Sequence, residues 1–404
     1  MLRALARPAQ NLLSRGPGAE VARAAVRRLR RATGEEMPGF IFSSGLWARA
    51  RLRGLSRRRR LVRGTAVLWR RPGKVWPLAC DLPKPGPGEV LVRTHASAVS
   101  PGTERALYAR MPNTSASFPL IPGYSAAGEV AAAGRGVRGL RRGDRVAGAA
   151  PHTSIALLPE KGAHPVPDGV ELEAASFVQL GVIAAQALRQ GGTEPDCRVL
   201  VVGQGLVGQL IAQMAAAAGA RVTSSARSLR RSNLALERAA RVVPLGQAAG
   251  RGEFDVVFET TGHPDGPSIA LESARPGGRV VLAGSTRGIT RGFDFGAAAD
   301  REVEVVGAHV NGAPDPGAHA RLFLDLLRRK KIDVAPLIRE RLHPWEAGWF
   351  YRRLTEPGDA TVGALFRWDL LPERERMRPV SYLEPPDLSF VPRNYLPPLP
   401  GVRS

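Results

Sequence analysis

The sequence predicts an α/β protein, in which a β-rich domain is followed by a parallel sheet covered by helices. Three observations predict it. Short apolar stretches punctuated by Gly and Pro run from Thr65 to about Pro167. From residue 198 to residue 283, apolar strand patterns alternate with helical ones. A glycine-rich turn, Gly203-Gln204-Gly205-Leu206-Val207-Gly208, joins the first of those strands to the first of those helices. The totals agree with this class. The chain has 404 residues, 44% of them hydrophobic, which suits two domains with a large core rather than a disordered chain.

The first 63 residues stand apart. They contain 16 Arg and three Glu, so that +13 of the net charge of +22 lies there. Leu2, Leu5, Leu12, Leu13, Val21, Ala25, Val26 and Leu29 approximate helical spacing, and the segment reads as a basic extension, partly helical or disordered. No DNA-binding motif accompanies the charge, so a nucleic-acid partner is not expected. An Arg-rich, acid-poor start also has the character of an organellar presequence, but Gly16-Pro17-Gly18 interrupts it; the expected location is the cytoplasm, with an organelle as the alternative. The apolar run near residues 210–218 is broken by Gln213, far short of the roughly 18 residues of a membrane helix, so no membrane span is expected. Two cysteines, Cys80 and Cys197, exclude a disulfide framework and a Cys-rich zinc site.

Residues 64–185 read as the β-rich domain. Thr65-Ala66-Val67-Leu68-Trp69 and Glu89-Val90-Leu91-Val92-Arg93-Thr94 are its clearest strands, the second introduced by Pro83-Lys84-Pro85-Gly86-Pro87-Gly88. The pattern turns helical after Glu171. Residues 186–311 hold the alternating units: strands at 198–202, 221–225, 255–259 and 279–283, helices at 206–219, 228–240 and 267–274. Repeated strand–helix units imply a parallel sheet. Residues 370–404 are Pro-rich and read as an irregular tail.

The glycine turn carries the strongest chemical message. Gly203 permits the tight turn, Gly205 admits a pyrophosphate to the backbone, and Gly208 lets helix and strand pack closely. The free N–H groups of the helix start, at Leu206 and Val207, then face the phosphates. This is the Rossmann dinucleotide-binding arrangement. The next strand decides which nicotinamide cofactor is taken. An Asp or Glu at its end would hold the ribose 2′-OH of NAD. Here the strand ends Thr223-Ser224-Ser225-Ala226, followed by Arg227, Ser228, Arg230 and Arg231. Without the acid, and with Arg227 able to meet a 2′-phosphate beside Ser225 and Ser228, the expected cofactor is NADP(H). Thr260 and Gly262, and then Gly284 and Ser285, follow the next two strands and are expected to face the same cofactor.

On these residues the chain resembles the medium-chain dehydrogenase/reductase superfamily, the alcohol-dehydrogenase-like family. The likeness runs from about Thr65 to Asp369. It rests on Pro87-Gly88-Glu89-Val90-Leu91-Val92, on 119–130 with its Pro122-Gly123-Tyr124-Ser125, on Arg142-Gly143-Asp144-Arg145-Val146, on the glycine turn, and on 274–281. The resemblance implies a GroES-like catalytic domain completed by residues 312–369, an active site in the cleft beside the Rossmann domain, and a homodimer acting on a small-molecule substrate. Zinc-dependent members place a Cys near Ser100 and Pro101, a His-Glu pair at Tyr124-Ser125, a third ligand near Leu180, and four Cys after Gly143-Asp144. None of these ligands is present, and the expected metal content is none. The stretch 99–108, with Ser100-Pro101-Gly102-Thr103-Glu104, looks like the bacteriochlorophyllide hydroxyethyl dehydrogenase branch, which interconverts a secondary alcohol and a ketone.

With no zinc, a side chain must serve the developing alkoxide. Thr103, Glu104, Tyr108 and Tyr124 are the candidates, expected to face the cleft. Each has a structural alternative: Glu104 as a helix cap, the tyrosines as packing residues. His95, His152, His309 and His343 are read as surface or packing positions, with His309 near enough to the cleft to be noted. The expected activity is a zinc-independent, NADP(H)-dependent alcohol/ketone oxidoreductase. A quinone or enoyl reductase on the same scaffold and a non-catalytic NADP-binding protein with a basic tail are the rivals.

Overall fold

The computed structural model describes residues 61–114, 116, 118–226, 241–244, 252–285, 287–290 and 292–380. The amphipathic pattern of the first 60 residues, the helix expected at 228–240, and Arg227, Ser228, Arg230 and Arg231 lie outside the described residues.

Three sheets organise the body. The first is small and antiparallel. In it β1 (Leu61–Arg71) pairs with β2 (Lys74–Pro83) through a tight turn at Gly73, where φ is +76°. The strand begins at Leu61, earlier than the Thr65 start expected from the sequence, because Leu61 and Val62 are buried and paired with a strand on either side.

The second sheet carries the β-rich domain. It contains β3 (Glu89–Val99), β4 (Ala126–Ala133), β5 (Arg145–Gly148), β6 (Ile155–Pro159) and β7 (Ala163–Pro165). The helix α1 (Pro101–Tyr108) leaves directly from the end of β3. Two helices, α2 (Leu172–Ala175) and α3 (Val178–Gly191), lead out of this domain.

The third sheet is parallel throughout. Its elements are β8 (Arg198–Val202), α4 (Leu206–Ala217), β9 (Arg221–Ala226), β10 (Arg241–Pro244), β11 (Phe254–Glu259), α5 (Gly266–Ser273), β12 (Ala274–Leu282), α6 (Phe295–Asp300) and β13 (Glu304–Gly307). The spatial order is β10-β9-β8-β11-β12-β13. Counted from β8, this is the 3-2-1-4-5-6 order of dinucleotide-binding sheets, whose direction reverses between β8 and β11. The strand β12 starts at Ala274, well before the expected residue 279. A register shift opposite Phe254 and Val256 accommodates the extra Arg275-Pro276-Gly277-Gly278, with Gly277 at φ +64°.

The chain then returns to the β-rich domain. After α7 (Pro316–Arg328) come β14 (Ile338–Leu342), α8 (Ala347–Leu354) and β15 (Gly363–Arg367). The order in the second sheet is β14-β15-β3-β4-β5-β7, so β15 lies against β3 and completes it. Packing of α7 on α3 requires Gly181, where a Cβ would stand 2.2 Å from the Phe323 ring. The region read from sequence as a tail is structured at its start: α9 (Glu373–Arg376) and β16 (Arg378–Val380) follow, and β16 pairs with β1. An apolar core joins α3, α4 and α7 through Phe177, Leu180, Leu210 and Phe323. A second core, rich in rings, gathers Trp69, Tyr108, Phe350, Tyr351, Phe366 and Trp368. No helix among the described residues is long and apolar enough to cross a membrane.

Candidate active site

The glycine turn is built as its residues demand. Gly203 has φ +102°, a conformation that L side chains rarely adopt, and its N–H donates to Ser225 O at 2.8 Å. At Gly208 a Cβ would lie 2.0 Å from Gly203 O and 2.7 Å from Thr260 Oγ1, so helix α4 can approach β8 only with glycine there. At Gly205, the residue capping α4, a Cβ would meet nothing within 4 Å among the described residues. Open space therefore lies in front of the N–H groups of the first turn, where a pyrophosphate fits. Leu206 is buried against the core and Val207 packs partly on it, so both contribute backbone rather than side chains.

The expected flanking loops converge on this turn. The Thr260 hydroxyl donates to Val202 O at 2.9 Å and is 3.0 Å from Gly203 O, which commits its side chain to bracing the turn. Gly262 and Gly284 are shaped by a residue the sequence reading passed over, Glu259. Its carboxylate is fully buried and accepts N–H from Thr261 at 2.7 Å. A Cβ at Gly284 would stand 2.7 Å from its Oε2, and one at Gly266 2.4 Å from its Oε1. Burial pushes the Glu259 carboxyl above its ordinary range, against the bonds from Thr261 that pull it down. Ser285 is exposed beside Gly284. Strand β9 closes on buried Ala226, and the Ser225 hydroxyl is buried with no hydrogen-bond partner among the described residues.

The four catalytic candidates separate into two groups. Thr103 and Tyr124 come together. Tyr124 is half-buried at the entry to β4, and its hydroxyl interacts with the Ser100 and Thr103 side chains. Burial pushes its pKa up to about 12, helped by the Glu104 carboxylate and opposed by the two hydroxyls. The neighbouring Ser125 holds the strand entry in place: its hydroxyl donates to Ser176 O at 2.5 Å and accepts from Gln179 N–H at 3.0 Å.

Glu104 and Tyr108 do not open to a cleft. Tyr108 is 4% exposed and packs on Trp69 and Tyr351, with ring centroids 5.2 and 5.6 Å away. The apolar face of α1 turns it into the aromatic core. Glu104 is 1% exposed and caps its own helix, accepting the Ser100 N–H at 2.8 Å. The same carboxylate accepts the Tyr351 hydroxyl at 2.5 Å and faces His152 Nε2 at 3.2 Å. His152 is fully buried, with Nδ1 2.7 Å from Ser97 Oγ, which accepts Trp368 Nε1–H at 2.8 Å. One tautomer serves the whole chain: Ser97 donates to Nδ1, and Nε2–H donates to Glu104. A side chain at Gly123 would strike the His152 ring at 2.7 Å, so the glycine before Tyr124 is what allows the imidazole to sit beneath it. Of the four scattered histidines, His152 is thus a packing residue with a polar partner at each nitrogen. His309 is exposed and caps a short 3₁₀ turn.

A completed β domain returning onto a dinucleotide-type parallel sheet, with an open glycine turn between them, defines an alcohol-dehydrogenase-like oxidoreductase. Profiles described as "Alcohol dehydrogenase GroES-like domain" and "Zinc-binding dehydrogenase" match residues 86–168 and 207–324. The chain belongs to the medium-chain dehydrogenase/reductase superfamily, a nicotinamide-dependent family. Human sorbitol dehydrogenase is 27% identical over 307 residues, 64% of this chain and 84% of that one. The 2-desacetyl-2-hydroxyethyl bacteriochlorophyllide A dehydrogenase of Cereibacter sphaeroides is 29% identical over 246 residues, 55% of this chain and 74% of that one. Among solved structures, a Sinorhizobium meliloti 1021 protein described as a zinc-binding dehydrogenase, with NADP bound, superposes with a TM-score of 0.66 at 24% identity, over 76% of this chain and 99% of that one.

Proposed function

We propose that the protein is a zinc-independent, NADP(H)-dependent oxidoreductase that interconverts an alcohol and a ketone. The observation that carries this reading is the hydroxyl cluster of Ser100, Thr103 and Tyr124. Zinc is held by Cys, His and carboxylate groups. The cluster offers hydroxyls only, while the nearby Glu104 and His152 are occupied by each other, by Tyr351 and by Ser97. This donor set does not fit the ion. It fits proton donation instead.

The nicotinamide, when bound, supplies or takes the hydride. In the direction of ketone reduction, the Tyr124 hydroxyl donates a hydrogen bond to the carbonyl oxygen and then its proton to the alkoxide. The raised pKa keeps that proton in place until charge develops on the substrate. Thr103 or Ser100 then passes a proton to the tyrosinate, drawn from water at the half-exposed Thr103. Alcohol oxidation runs the same path backwards. Both relatives named above are dehydrogenases by name, which supports C–OH chemistry. Preference for NADP(H) is supported by the apolar Ala226 at the end of β9, where a carboxylate would repel a 2′-phosphate.

The test is a fluorescence titration of the full chain with NADPH and with NADH, with metal content measured on the same preparation. The reading expects tighter binding of NADPH and no stoichiometric zinc. Tighter NADH binding would sink the cofactor assignment, and stoichiometric zinc would sink the tyrosine mechanism.

A further inference from the structure

Arg287 follows the Gly284-Ser285 turn on the loop between β12 and α6. Its N–H donates to Gly262 O at 2.8 Å, which ties it to the other cofactor-facing loop. Its guanidinium extends the opposite way and reaches Asn113 O at 3.5 Å. The Asn113 amide donates to Gly288 O at 2.8 Å in return. Asn113 lies a few residues beyond α1, the helix that carries Thr103. Arg287 therefore stands where the loops of the parallel sheet meet the wall that holds the hydroxyl cluster.

The side chain is half-buried, and loss of hydration pulls its pKa below the usual guanidinium range. No carboxylate among the described residues offsets that burial. This is not simply the basic composition of the chain. Of the other half-buried arginines, Arg93 meets Glu129, Arg353 meets Glu340 and Arg367 meets Asp369, while Arg145 and Arg301 bond well-placed backbone carbonyls instead. A guanidinium stripped of part of its water, with the edge of one carbonyl as its bonding partner among the described residues, is a fork of donors matched to planar or tetrahedral anions.

We infer that Arg287 is the anchor for an anionic oxygen group, a carboxylate or phosphate, at the mouth of the active-site cleft. The inference rests on the oxidoreductase reading above and extends it to substrate class. Two molecules could bring such a group there: the substrate itself, or the phosphates of the bound dinucleotide.

The experiment uses the full chain, Arg287→Met, which keeps an unbranched apolar stem, and Arg287→Lys, which keeps the charge. Each is titrated with NADPH. Each NADPH complex is then titrated with a homologous series of straight-chain keto acids and with their methyl esters, read by the change in nicotinamide fluorescence. A charge-assisted contact corresponds to roughly tenfold to hundredfold in affinity. If the substrate carries the group, wild type binds the acids about tenfold or more tighter than the esters. Arg287→Met loses that preference with NADPH affinity unchanged, and Arg287→Lys keeps part of it. If the cofactor carries it, NADPH affinity falls about tenfold in Arg287→Met. Equal response to acid and ester in wild type, or no response to either, together with unchanged NADPH affinity in Arg287→Met, overturns the inference while leaving the parent reading intact. Failure of wild type to bind NADPH overturns both.

Discussion

At the scale of single residues, the candidate site divides labour between two tyrosines with different surroundings. Tyr124 is half-buried and bonded to hydroxyls, whereas Tyr351 is fully buried and donates to Glu104. On the proposed reading, the first is the one that meets a substrate. Tyr124→Phe removes one oxygen and leaves the ring in place, so the fold and NADPH affinity should be unchanged while kcat falls by roughly 10²- to 10⁴-fold, the usual worth of a positioned acid. Steady-state kinetics beside a cofactor titration measure this, and an unchanged kcat would return the proton donor to another group. Glu259 gives a pH prediction. Its folded-state pKa is raised, so its contribution to stability is present below the ordinary carboxylate range and is lost as pH rises through the raised value. Glu259→Gln cannot titrate. Thermal melts across acid to neutral pH should therefore show the variant gaining on wild type as pH rises; parallel curves would contradict the assigned shift.

At the scale of elements, legibility followed sequence distance. The turn 203–208 announced itself because its geometric demands are local: a positive φ at Gly203, a helix start at Leu206, a close approach at Gly208. The glycines make separable predictions. Gly208→Ala forces a methyl to 2.0 Å from Gly203 O, and overpacking of that kind costs roughly 1–3 kcal/mol. Gly205→Ala meets no atom among the described residues, so it should leave urea unfolding unchanged and weaken NADPH binding, because the methyl points into the space the pyrophosphate needs. Loss of stability in Gly205→Ala would mean that the open side of the turn is not open. The buried chain from Tyr351 through Glu104, His152 and Ser97 to Trp368 was invisible for the opposite reason. Its links span 247 positions between Tyr351 and Glu104 and 271 between Trp368 and Ser97. Nothing near Glu104 in sequence says that β15 and α8 will return to cover it. The residue was singled out for the right chemistry, a carboxylate after Ser100, and for the wrong exposure. The exit of β9 stayed legible only in part: Ser225 and Ala226 are placed, while Arg227 and Ser228 lie beyond the described residues.

At the scale of the whole molecule, the β-rich domain is made from two distant stretches of chain, with β15 inserted beside β3 and the parallel sheet strung between them. The sequence announced both domains through their punctuation and periodicity. It did not announce the small antiparallel sheet of β16, β1 and β2, whose closing strand lies in a Pro-rich region. That strand has a consequence. Leu61 is paired with Val380, and Val62 with Pro379, so the first and last strands among the described residues are hydrogen-bonded neighbours. The covalent order of the body is thus nearly a ring. A short linker from residue 380 to residue 61, with new termini opened at the exposed Gly73 turn between β1 and β2, would give a circular permutant with every sheet contact retained. Such a permutant should bind NADPH as the parent does. If it did, the order in which the strands of this body are strung together would be a matter of genetic history rather than of folding.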